Sequence, residues 1–422
     1  NYNNIMELKR VVVTGIGLLS PLGNDVASSW AAMLRGESGA GPVTHLDVSK
    51  FRTQFACEVK DFDISTLLDK KEARKMDPFA QYAIWAAEEA WKDAAFNMEK
   101  ENPDRMGCIW GSGMGGLRSF QECAAEWALS DGTPRFNPFI IPKLISNIAA
   151  GHISIRFGLK GPNYATNSAC AASSHAIADA LNQIRLGKAD VMLAGGSEAA
   201  VEAMGIGGFN AMHAISTRND DPKGASRPFS KSRDGFVLGE GAACLVLEEW
   251  QHAKERGAKI YAEVAGEGMS ADSYHITAPD PEGRGAEKVM RLALEDAGIQ
   301  PQDVDYINAH GTSTQLGDTA ELMAIEKVFG TNNHLRISST KSMTGHLLGA
   351  AGALEAIASI LAIRDNIVPP TINHAADDVD EAINPELNIV FNEAEHTPVN
   401  CAISNTFGFG GHNACLVFKR VD

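Results

Sequence analysis

The sequence predicts an α/β fold built from two similar halves. Short β-branched or apolar runs end in glycine, and alanine-rich stretches with helical spacing follow them. This alternation is typical of α/β proteins. The strand–Gly-x-Gly pattern of the start of the chain returns near residue 260, which indicates a repeat at the level of strands. We therefore predict an appended, non-native stretch over 1–5, an N-terminal half over 6–258 and a C-terminal half over 259–422.

The N-terminal half begins with a β-branched run that predicts a buried strand. Strands are predicted over 10–17, up to 111, over 164–167, over 190–196 and over 241–248. Spacing of apolar residues at three and four predicts helices over 28–34, 70–94, 170–186 and 249–256. The polar stretch 216–236 is predicted to be an ordered loop.

The C-terminal half repeats the alternation. Its predicted strands cover 260–268, 304–308, 336–339, 388–391, 401–404 and 414–419. Its predicted helices cover 286–297, 319–329 and 349–364, of which the last is rich in alanine.

Composition narrows the class of protein. A formal net charge of −16 argues against a general nucleic-acid binder, so an acidic partner would have to meet a local basic patch. No window approaches 18 consecutive apolar residues and no basic-then-apolar leader occurs, so we predict neither a membrane span nor a signal peptide. The seven cysteines are scattered and form no CxxC pair, which indicates neither a zinc site nor a disulfide framework and favours a cytoplasmic protein.

Cys170 is a candidate nucleophile because it lies at or beside the first turn of a predicted helix. Unpaired backbone N–H groups and the helix dipole favour an anion there. The dipole is worth roughly 1 kcal/mol, at most about 2, which would move a thiol pKa from about 8.5 to about 7. We therefore expect a useful thiolate fraction near neutrality. The alternative is a small, buried, inert side chain.

Residues 111–116 form a G-x-G-x-x-G pattern after a strand, which invites a dinucleotide-binding interpretation. No second strand with an acidic residue follows at the expected place. Glycines that let the backbone pack closely around a ligand or a subunit are the better explanation.

Three further stretches combine glycine with polar residues in apolar surroundings. They are residues 308–318 with His310, residues 338–349 with Lys341 and His346, and residues 404–413 with Phe407. Histidines directly after strands lie where open α/β sheets bind ligands. The glycines of the third stretch could hold a phosphate, but no Lys-Ser/Thr follows as in a P-loop. Backbone N–H groups aimed at a developing oxyanion are the better use.

Together these motifs resemble the β-ketoacyl-acyl carrier protein synthases. The carrying sequences are NSACAASSH around Cys170, NAHGTSTQLGD around His310, STKSMTGHLLGAAGA around Lys341 and His346, and SNTFGFGGHN around Phe407. The resemblance spans residues 9 to 420. STRND at 216–220 and RDGFVLGEGA at 233–242 are most similar to the elongating type II branch, synthase II. A type I synthase or a polyketide-type ketosynthase subunit is the alternative.

The resemblance implies the thiolase-like fold, two duplicated halves in a five-layer α-β-α-β-α sandwich, usually a homodimer. It implies that Cys170 accepts an acyl group and that the backbone N–H groups of Cys170 and Phe407 form an oxyanion hole, with the Phe407 ring as a gate. His310 and His346 would stabilise the enolate left when malonyl-acyl carrier protein loses its carboxylate. The product would be a 3-oxoacyl thioester two carbons longer. No metal or redox cofactor is expected, since the substrates are carried on the phosphopantetheine of acyl carrier protein.

The resemblance also assigns supporting roles. Lys341, paired with Glu355, would support the histidines. Thr312 and Thr314 would bind the pantetheine arm, and Met114 and Phe209 would line the acyl pocket. Carrier-protein contacts are expected at Lys70, Lys71, Arg74, Lys75 and Arg135. The chain departs from the family pattern at two positions that bear on carrier binding: Phe136 stands where a lysine is usual, and His213 where an arginine is usual.

Two other classes of function stay open on sequence. A catalytically silent partner subunit would not need Cys170, His310 and His346, which are all present. A Cys-His hydrolase would leave the second histidine and Lys341 without a role. The product separates these classes: a free acid from a hydrolase, a longer 3-oxo thioester from a synthase.

Overall fold

The computed structural model describes residues 8–331 and 334–421, so the appended stretch predicted over 1–5 lies outside the described residues. The strands are β1 (Val11–Leu19), β2 (Gly41–Pro42), β3 (Phe55–Ala56), β4 (Met106–Gly111), β5 (Asn163–Thr166), β6 (Val191–Glu198), β7 (Gly241–Glu249), β8 (Ala262–Ala271), β9 (Tyr306–Asn308), β10 (Arg336–Ser338), β11 (Ile367–Val368), β12 (Glu395–His396), β13 (Cys401–Gly408) and β14 (His412–Lys419). The helices are α1 (Val26–Leu34), α2 (Lys70–Ala73), α3 (Pro78–Ala94), α4 (Leu117–Ala128), α5 (Ile140–Leu144), α6 (Ile148–Phe157), α7 (Ala172–Arg185), α8 (Ala203–Ala211), α9 (Trp250–Glu255), α10 (Arg284–Ala297), α11 (Gln315–Phe329), α12 (Lys341–Thr344) and α13 (Ala351–Asp365).

The main strands form two sets with the same topology. The hydrogen-bonded order is β10-β9-β13-β14-β8 followed by β1-β7-β6-β4-β5. Within each set the first strand in the chain lies next to the fifth, and the second lies between the third and the fourth. Among the described residues, the two sets are joined by a short ladder in which Val12 and Val13 of β1 pair with Glu263 and Ala262 of β8. The repeat that the sequence indicated is therefore present in the topology.

The equivalence extends to the turns that follow β5 and β10. After β5, Ala169 has a φ of 51° and begins a 3-10 turn, Ala169–Ala171, that leads into α7. After β10 and α12, Leu348 has a φ of 50° and begins the 3-10 turn Leu348–Ala350, which leads into α13.

The helices complete five layers. α3 packs on β1 and β7 on one outer side, and α10 packs on β8 and β14 on the other. Between the two strand sets lie α7 and α13, which contact each other and strands of both sets. α13 is buried along nearly its whole length, which its alanine-rich sequence permits. The predicted thiolase-like architecture is confirmed.

The close contact between α3 and β1 depends on glycine. A Cβ atom at Gly17 would lie 2.0 Å from the carbonyl oxygen of Ala86, and one at Gly15 would lie 2.3 Å from that of Ala90. Glycine on the strand and alanine on the helix let the two backbones approach one another.

The parallel strands direct their ends toward one region. β4 pairs in parallel with β5 and β6, and β9 pairs in parallel with β10 and β13. The segments that follow β4, β5, β9 and β10 contain Met114, Cys170, His310, Lys341 and His346, and Phe407 lies near the end of β13. The carboxyl ends of parallel strands are where such sheets bind ligands.

Two predicted elements are wrong. The helix predicted over 70–94 is broken into α2 and α3, because Asp77 caps α3 through the Phe79 amide (3.2 Å) and Pro78 lacks the N–H that would continue a helix from α2. The stretch predicted as a strand over 388–391 makes only isolated bridges, Ile337 with Ile389 and Thr371 with Phe391.

Several helices were not predicted from the sequence: α4, α5, α6, α8 and α12. α4 buries only Ser119 and leaves Phe120 and Trp127 exposed, so its apolar side chains do not mark a face packed on the core. α8 contains three glycines, which disfavour a helix. Over the described ranges, the molecule has no helix of the length and apolarity that crossing a bilayer requires.

Candidate active site

A cavity of about 740 Å³ opens at the carboxyl ends of the parallel strands. Its walls come from both halves of the chain. Most of the site residues predicted from sequence line it: Met114, Cys170, Phe209, His310, Thr312, Thr314, His346 and Phe407. Lys341 and Glu355 are buried and do not line the cavity, and the predicted carrier-protein contacts lie elsewhere on the surface.

Cys170 lies in the 3-10 turn before α7 and is 7% exposed. The start of α7, directly after this turn, lies close to β4: a Cβ at Gly111 would lie 2.5 Å from the backbone of Ala172 and Ser173. Burial raises the pKa of the Cys170 thiol to about 12, although the positive charge of Lys341 and the backbone N–H of Phe409 act in the opposite direction. The expected thiolate near neutrality is therefore wrong: the loss of hydration outweighs a dipole worth at most about 2 kcal/mol.

His346 is the nearest titratable neighbour of this thiol. Its Nε2 lies 3.0 Å from Cys170 Sγ. The backbone around it is fixed by the segment that follows the RDGF sequence: the His346 amide donates to the Val237 carbonyl at 2.7 Å, and the Gly239 amide donates to the His346 carbonyl at 2.9 Å. The Phe236 ring packs edge-on against the imidazole, with 5.3 Å between centroids.

His310 completes a group of three reactive side chains. Its ring is 5.4 Å from that of His346 and nearly perpendicular to it. The carboxylate of Glu321 on α11 accepts the amides of His310 and Gly311, each at 2.8 Å, which fixes the backbone at the end of β9. Burial, with the charge of Lys341, lowers the pKa of both histidines well below the ordinary value. Each is therefore a neutral imidazole at physiological pH, with one N–H donor and one acceptor nitrogen.

Lys341 begins α12 and forms a buried ion pair with Glu355 of α13. Burial raises the pKa of Glu355 to about 7, and the ammonium of Lys341 opposes that rise. The positive charge acts on Cys170, His310 and His346 from behind the cavity wall. Lys341 can therefore set protonation states without touching a substrate.

The two phenylalanines of the glycine-rich stretch divide the roles that sequence reasoning gave to Phe407. Phe407 is still paired with Asn413 across β13 and β14, and its ring lies 5.6 Å from that of His310. The chain turns only after Gly408, and it is the amide of Phe409 that reaches the Cys170 sulfur. The structure thus favours the Phe409 amide over that of Phe407 as the backbone donor beside Cys170.

Thr312 and Thr314 line the cavity with their hydroxyl oxygens 3.0 Å apart. Their loop is fixed by Arg233, a residue that was not predicted for the site. Arg233 is buried and donates to the Thr314 carbonyl at 3.0 Å and to the Gln315 carbonyl at 2.8 Å. An arginine beside the apolar run of RDGFVLGEGA was the available signal for a buried anchor.

Met114 and Phe209 face the cavity from separate elements. The loop that carries Met114 is fixed by Glu198, also missed on sequence, whose buried carboxylate accepts the amides of Gly113 (2.7 Å), Met114 (3.0 Å) and Gly349 (3.0 Å). The glycines of the 111–116 pattern thus serve close backbone packing. Phe209 lies on α8, with its ring 5.2 Å from that of Phe236.

Three of the five predicted carrier-protein contacts line two neighbouring surface grooves. Lys70 and Arg74 line one groove, Arg135 and Phe136 line the other, and Lys143, which was not predicted, lines both. Lys71 is exposed. Lys75 is partly engaged by Glu72 at 2.6 Å. His213 lines the cavity, and Arg52 donates to its Nδ1 at 2.9 Å. An arginine is thus present near the position where His213 replaces one.

Residues 8–253 match the family model of the β-ketoacyl synthase N-terminal domain, and residues 261–375 match that of the β-ketoacyl synthase C-terminal domain. The chain belongs to the β-ketoacyl synthase family. Proteins named 3-oxoacyl-[acyl-carrier-protein] synthase 2 are 52% identical over 417 residues in Coxiella burnetii (99% of this chain, 100% of the relative) and 50% identical over 415 residues in Staphylococcus aureus strain COL (98% and 99%).

Solved structures of this family share the fold. A β-ketoacyl synthase from Burkholderia phymatum superposes with a TM-score of 0.91 at 38% identity, and the ishigamide ketosynthase/chain length factor with 0.92 at 33%. A type II polyketide ketosynthase solved with its acyl-carrier protein, AntDE:AntF, gives 0.88 at 33%. Each match covers 98% of this chain and 100% of the solved one.

Proposed function

We propose that this β-ketoacyl synthase is an elongating 3-oxoacyl-acyl carrier protein synthase of type II fatty acid synthesis. The observation that carries the proposal is the 3.0 Å contact between Cys170 Sγ and His346 Nε2, with His310 beside it, in a cavity of about 740 Å³. Relatives named synthase 2 at 50–52% identity support the elongating branch, whereas the polyketide ketosynthases stand at 33%.

The first step is transfer of the acyl group to the enzyme. The neutral Cys170 thiol gives its proton to His346 Nε2 as the sulfur attacks the thioester carbonyl. The backbone N–H groups of Cys170 and Phe409 stabilise the tetrahedral oxyanion, and one such donor is typically worth about 3–4 kcal/mol. The His346 imidazolium then protonates the departing pantetheine thiolate. The result is an acyl-Cys170 thioester and a neutral histidine.

The second step is a decarboxylative condensation. After the first step His346 is neutral with its proton on Nδ1, and proton exchange with solvent converts it to the Nε2–H tautomer. Malonyl-acyl carrier protein binds with its thioester oxygen toward the N–H donors of His310 and His346, and loss of carbon dioxide leaves an enolate that they stabilise. Its carbon attacks the acyl-Cys170 carbonyl, and the tetrahedral intermediate expels the Cys170 thiolate. A proton from solvent restores the thiol. The product is a 3-oxoacyl thioester two carbons longer, and the release of carbon dioxide drives the reaction without a metal or redox cofactor.

The enzyme is proposed to bind acyl carrier protein and to work in the cytoplasm. The acidic carrier protein docks on the basic surface formed by Lys70, Lys71, Arg74, Lys75 and Arg135, and the hydroxyls of Thr312 and Thr314 bind its pantetheine arm. An overall charge of −16 makes such a local basic surface necessary. The seven cysteines are spread along the chain and form no disulfide among the described residues, which fits a cytoplasmic enzyme.

A homodimer is proposed from the exposed apolar side chains of residues 117–164, with the groove of Arg135 at the edge of this surface, so that the carrier protein docks beside the dimer contact. Large apolar side chains are exposed there, among them Trp127 (52%), Leu129 (90%) and Ile141 (60%). β5 also forms the end of its strand set, with its outer side unpaired within the described chain. Exposed large apolar side chains and a free strand edge are both characteristic of protein–protein interfaces.

The test is intact-mass spectrometry after incubation with acyl carrier proteins loaded with C6 to C18 chains. We expect an acyl-sized adduct on the unmodified protein, none on Cys170→Ala, and discharge of the adduct by malonyl-acyl carrier protein into a longer 3-oxo product. Cys244→Ala, which removes a buried cysteine outside the cavity, is the matched control and should keep the adduct. An unmodified protein that forms no adduct would favour a silent subunit, and discharge by water alone would favour a hydrolase.

A further inference from the structure

α8 forms one wall of the cavity but is a weak helix by its sequence. It spans nine residues, of which Gly205, Gly207 and Gly208 are glycine. Each glycine costs a helix roughly 1 kcal/mol relative to alanine. The helix carries Phe209, whose ring meets Phe236, which in turn packs against His346. The position of α8 therefore depends on what anchors its ends.

The C-terminal end of α8 is fixed by an amide. The Asn210 side chain accepts the amide of Thr53 at 3.2 Å and donates to the Thr53 hydroxyl at 2.8 Å. Both residues are buried.

The N-terminal end is fixed by charge. Glu202 precedes the helix, is 4% exposed and accepts none of its backbone amides. Its carboxylate instead accepts from two side chains of α4: the guanidinium of Arg118 and, at 2.6 Å, the amide of Gln121. The Gln121 oxygen in turn accepts the amide of Met204 at 3.2 Å. α4 and α8 are thus joined twice.

His45 completes the cluster from a third segment. Its Nδ1 lies 2.7 Å from a carboxylate oxygen of Glu58, and its Nε2 lies 2.7 Å from the Val201 carbonyl and 3.6 Å from Glu202. Both nearest partners are acceptors, so both nitrogens donate and the ring is an imidazolium. Two cations, His45 and Arg118, therefore balance the carboxylates of Glu58 and Glu202.

The cluster connects the two elements that hold the predicted acyl pocket. Met114 lies in the loop that leads into α4, and the first turn of α4 is fixed to α3, because Asp77 accepts the Ser119 amide at 2.9 Å. Phe209 lies on α8. The Glu202 contacts therefore set the separation between Met114 and Phe209 across the cavity.

We infer that Glu202, with Arg118 and Gln121, is a specificity-determining positioning residue that sets the acyl-chain lengths this enzyme accepts. The inference rests on the proposed function, because it takes the space between Met114 and Phe209 as the acyl site. When the anchor is weakened, α8 is free to move on its glycines, and discrimination among chain lengths falls.

The experiment offers the protein an equimolar mixture of C6 to C18 acyl carrier proteins and reads the adduct distribution by intact mass, together with the melting temperature. Glu202→Gln keeps the shape of the side chain and removes its charge. Gln121→Leu removes both Gln121 bonds and leaves the charges balanced, so it provides a second variant should the first not fold. Glu88→Gln, which breaks the Glu88–Arg156 pair (2.6 Å) between α3 and α6, is the matched control.

We expect the ratio of the preferred to the least favoured adduct to fall at least threefold in Glu202→Gln and Gln121→Leu and to stay unchanged in Glu88→Gln. A purely structural role would lower the melting temperature, or all adducts alike, without changing that ratio, and this result would overturn the inference while the proposed function stands. An unmodified protein that forms no adduct of any length would overturn the proposed function and the inference with it.

Discussion

At the scale of single residues, one buried ammonium governs the chemistry of the site. Lys341 lies within electrostatic range of the thiol and both imidazoles, and it lowers the pKa of each. Burial acts in the same direction on the histidines and in the opposite direction on Cys170. The free enzyme therefore holds a neutral thiol beside a neutral imidazole, and the thiolate forms only as its proton moves to His346.

This balance predicts the pH dependence of acyl transfer. His346 can accept a proton only while it is neutral, and its lowered pKa keeps it neutral well below pH 6.5. In Lys341→Gln/Glu355→Gln both charges of the buried pair are absent, so the histidine pKa values rise. The fall in the rate of adduct formation at low pH (the acid limb of the pH–rate profile) then begins at a higher pH. Burial, the larger cause of the lowered pKa, is kept in this variant, so the pKa of His346 stays below its ordinary value, and we expect adduct formation at pH 6 to be roughly twofold slower than at pH 8. Mass spectrometry of samples quenched at set times, at pH values from 5 to 8, measures the rate of adduct formation.

Glu355→Gln alone is the control for that experiment. It keeps the ammonium of Lys341, so the acid limb should stay where the unmodified enzyme has it. Identical limbs in the double and the single variant would show that Lys341 does not set the histidine pKa values.

The reactive side chains could be predicted from sequence, but their state could not. Cys170, His310 and His346 lie in glycine-flanked motifs after strands, and such positions meet at one end of parallel strands. The depth of burial around Cys170 is a property of the packed molecule. The sequence therefore predicted the effect of the helix dipole on the thiol pKa but not the larger effect of desolvation. Phe407 and Phe409 are two residues apart in one motif, and only the end of β13 decides which amide faces the sulfur.

At the scale of elements, the packing of α3 on β1 leaves no room for a side chain at Gly17. We predict that Gly17→Ala destabilises the protein by about 1–3 kcal/mol or more, because its Cβ would overlap the rigid carbonyl of Ala86. Urea unfolding followed by circular dichroism measures the loss.

Gly151→Ala is the matched substitution. Gly151 lies within α6, and a Cβ there would meet only Ile148 at 3.9 Å. We expect this variant to be neutral or to gain about 0.5–1 kcal/mol, as is usual for glycine replaced by alanine in a helix. Equal stabilities for the two variants would mean that β1 and α3 can separate without cost.

Most elements could be predicted, and the failures have local causes. Buried strands ending at glycine gave clear signals, and nearly all of them are present. The break between α2 and α3 depends on Asp77 capping through its side chain, a contact that a helical pattern of apolar residues does not reveal. α8 is helical because both of its ends are anchored by tertiary contacts, which no window of its own sequence contains.

At the scale of the whole molecule, the apolar surface of residues 117–164 predicts self-association. In Leu129→Glu/Ile141→Glu two charges replace exposed apolar side chains at the proposed interface. We expect the dimer dissociation constant to rise more than tenfold, since burying each charge costs more than the 1.4 kcal/mol that a factor of ten requires. Sedimentation velocity over a concentration series measures it.

Val379→Glu provides the comparison, because Val379 is also exposed (49%) but lies far along the chain from that surface. It should leave the association constant unchanged. Equal sedimentation of all three proteins would place the interface elsewhere or show the chain to be a monomer.

The paired turns after β5 and β10 have a consequence for ancestry. If the two halves descend from one duplicated gene, the residue that corresponds to Cys170 in the second half is Gly349, since each follows a residue with a φ near 50° and precedes the central helix. A Cβ at Gly349 would lie 2.4 Å from the amide nitrogen of Gly113, so no nucleophile can return to that position. On that descent, one half carries the acyl acceptor, and in the other half a glycine at the same position lets the two backbones lie in contact, so the two copies now perform different tasks.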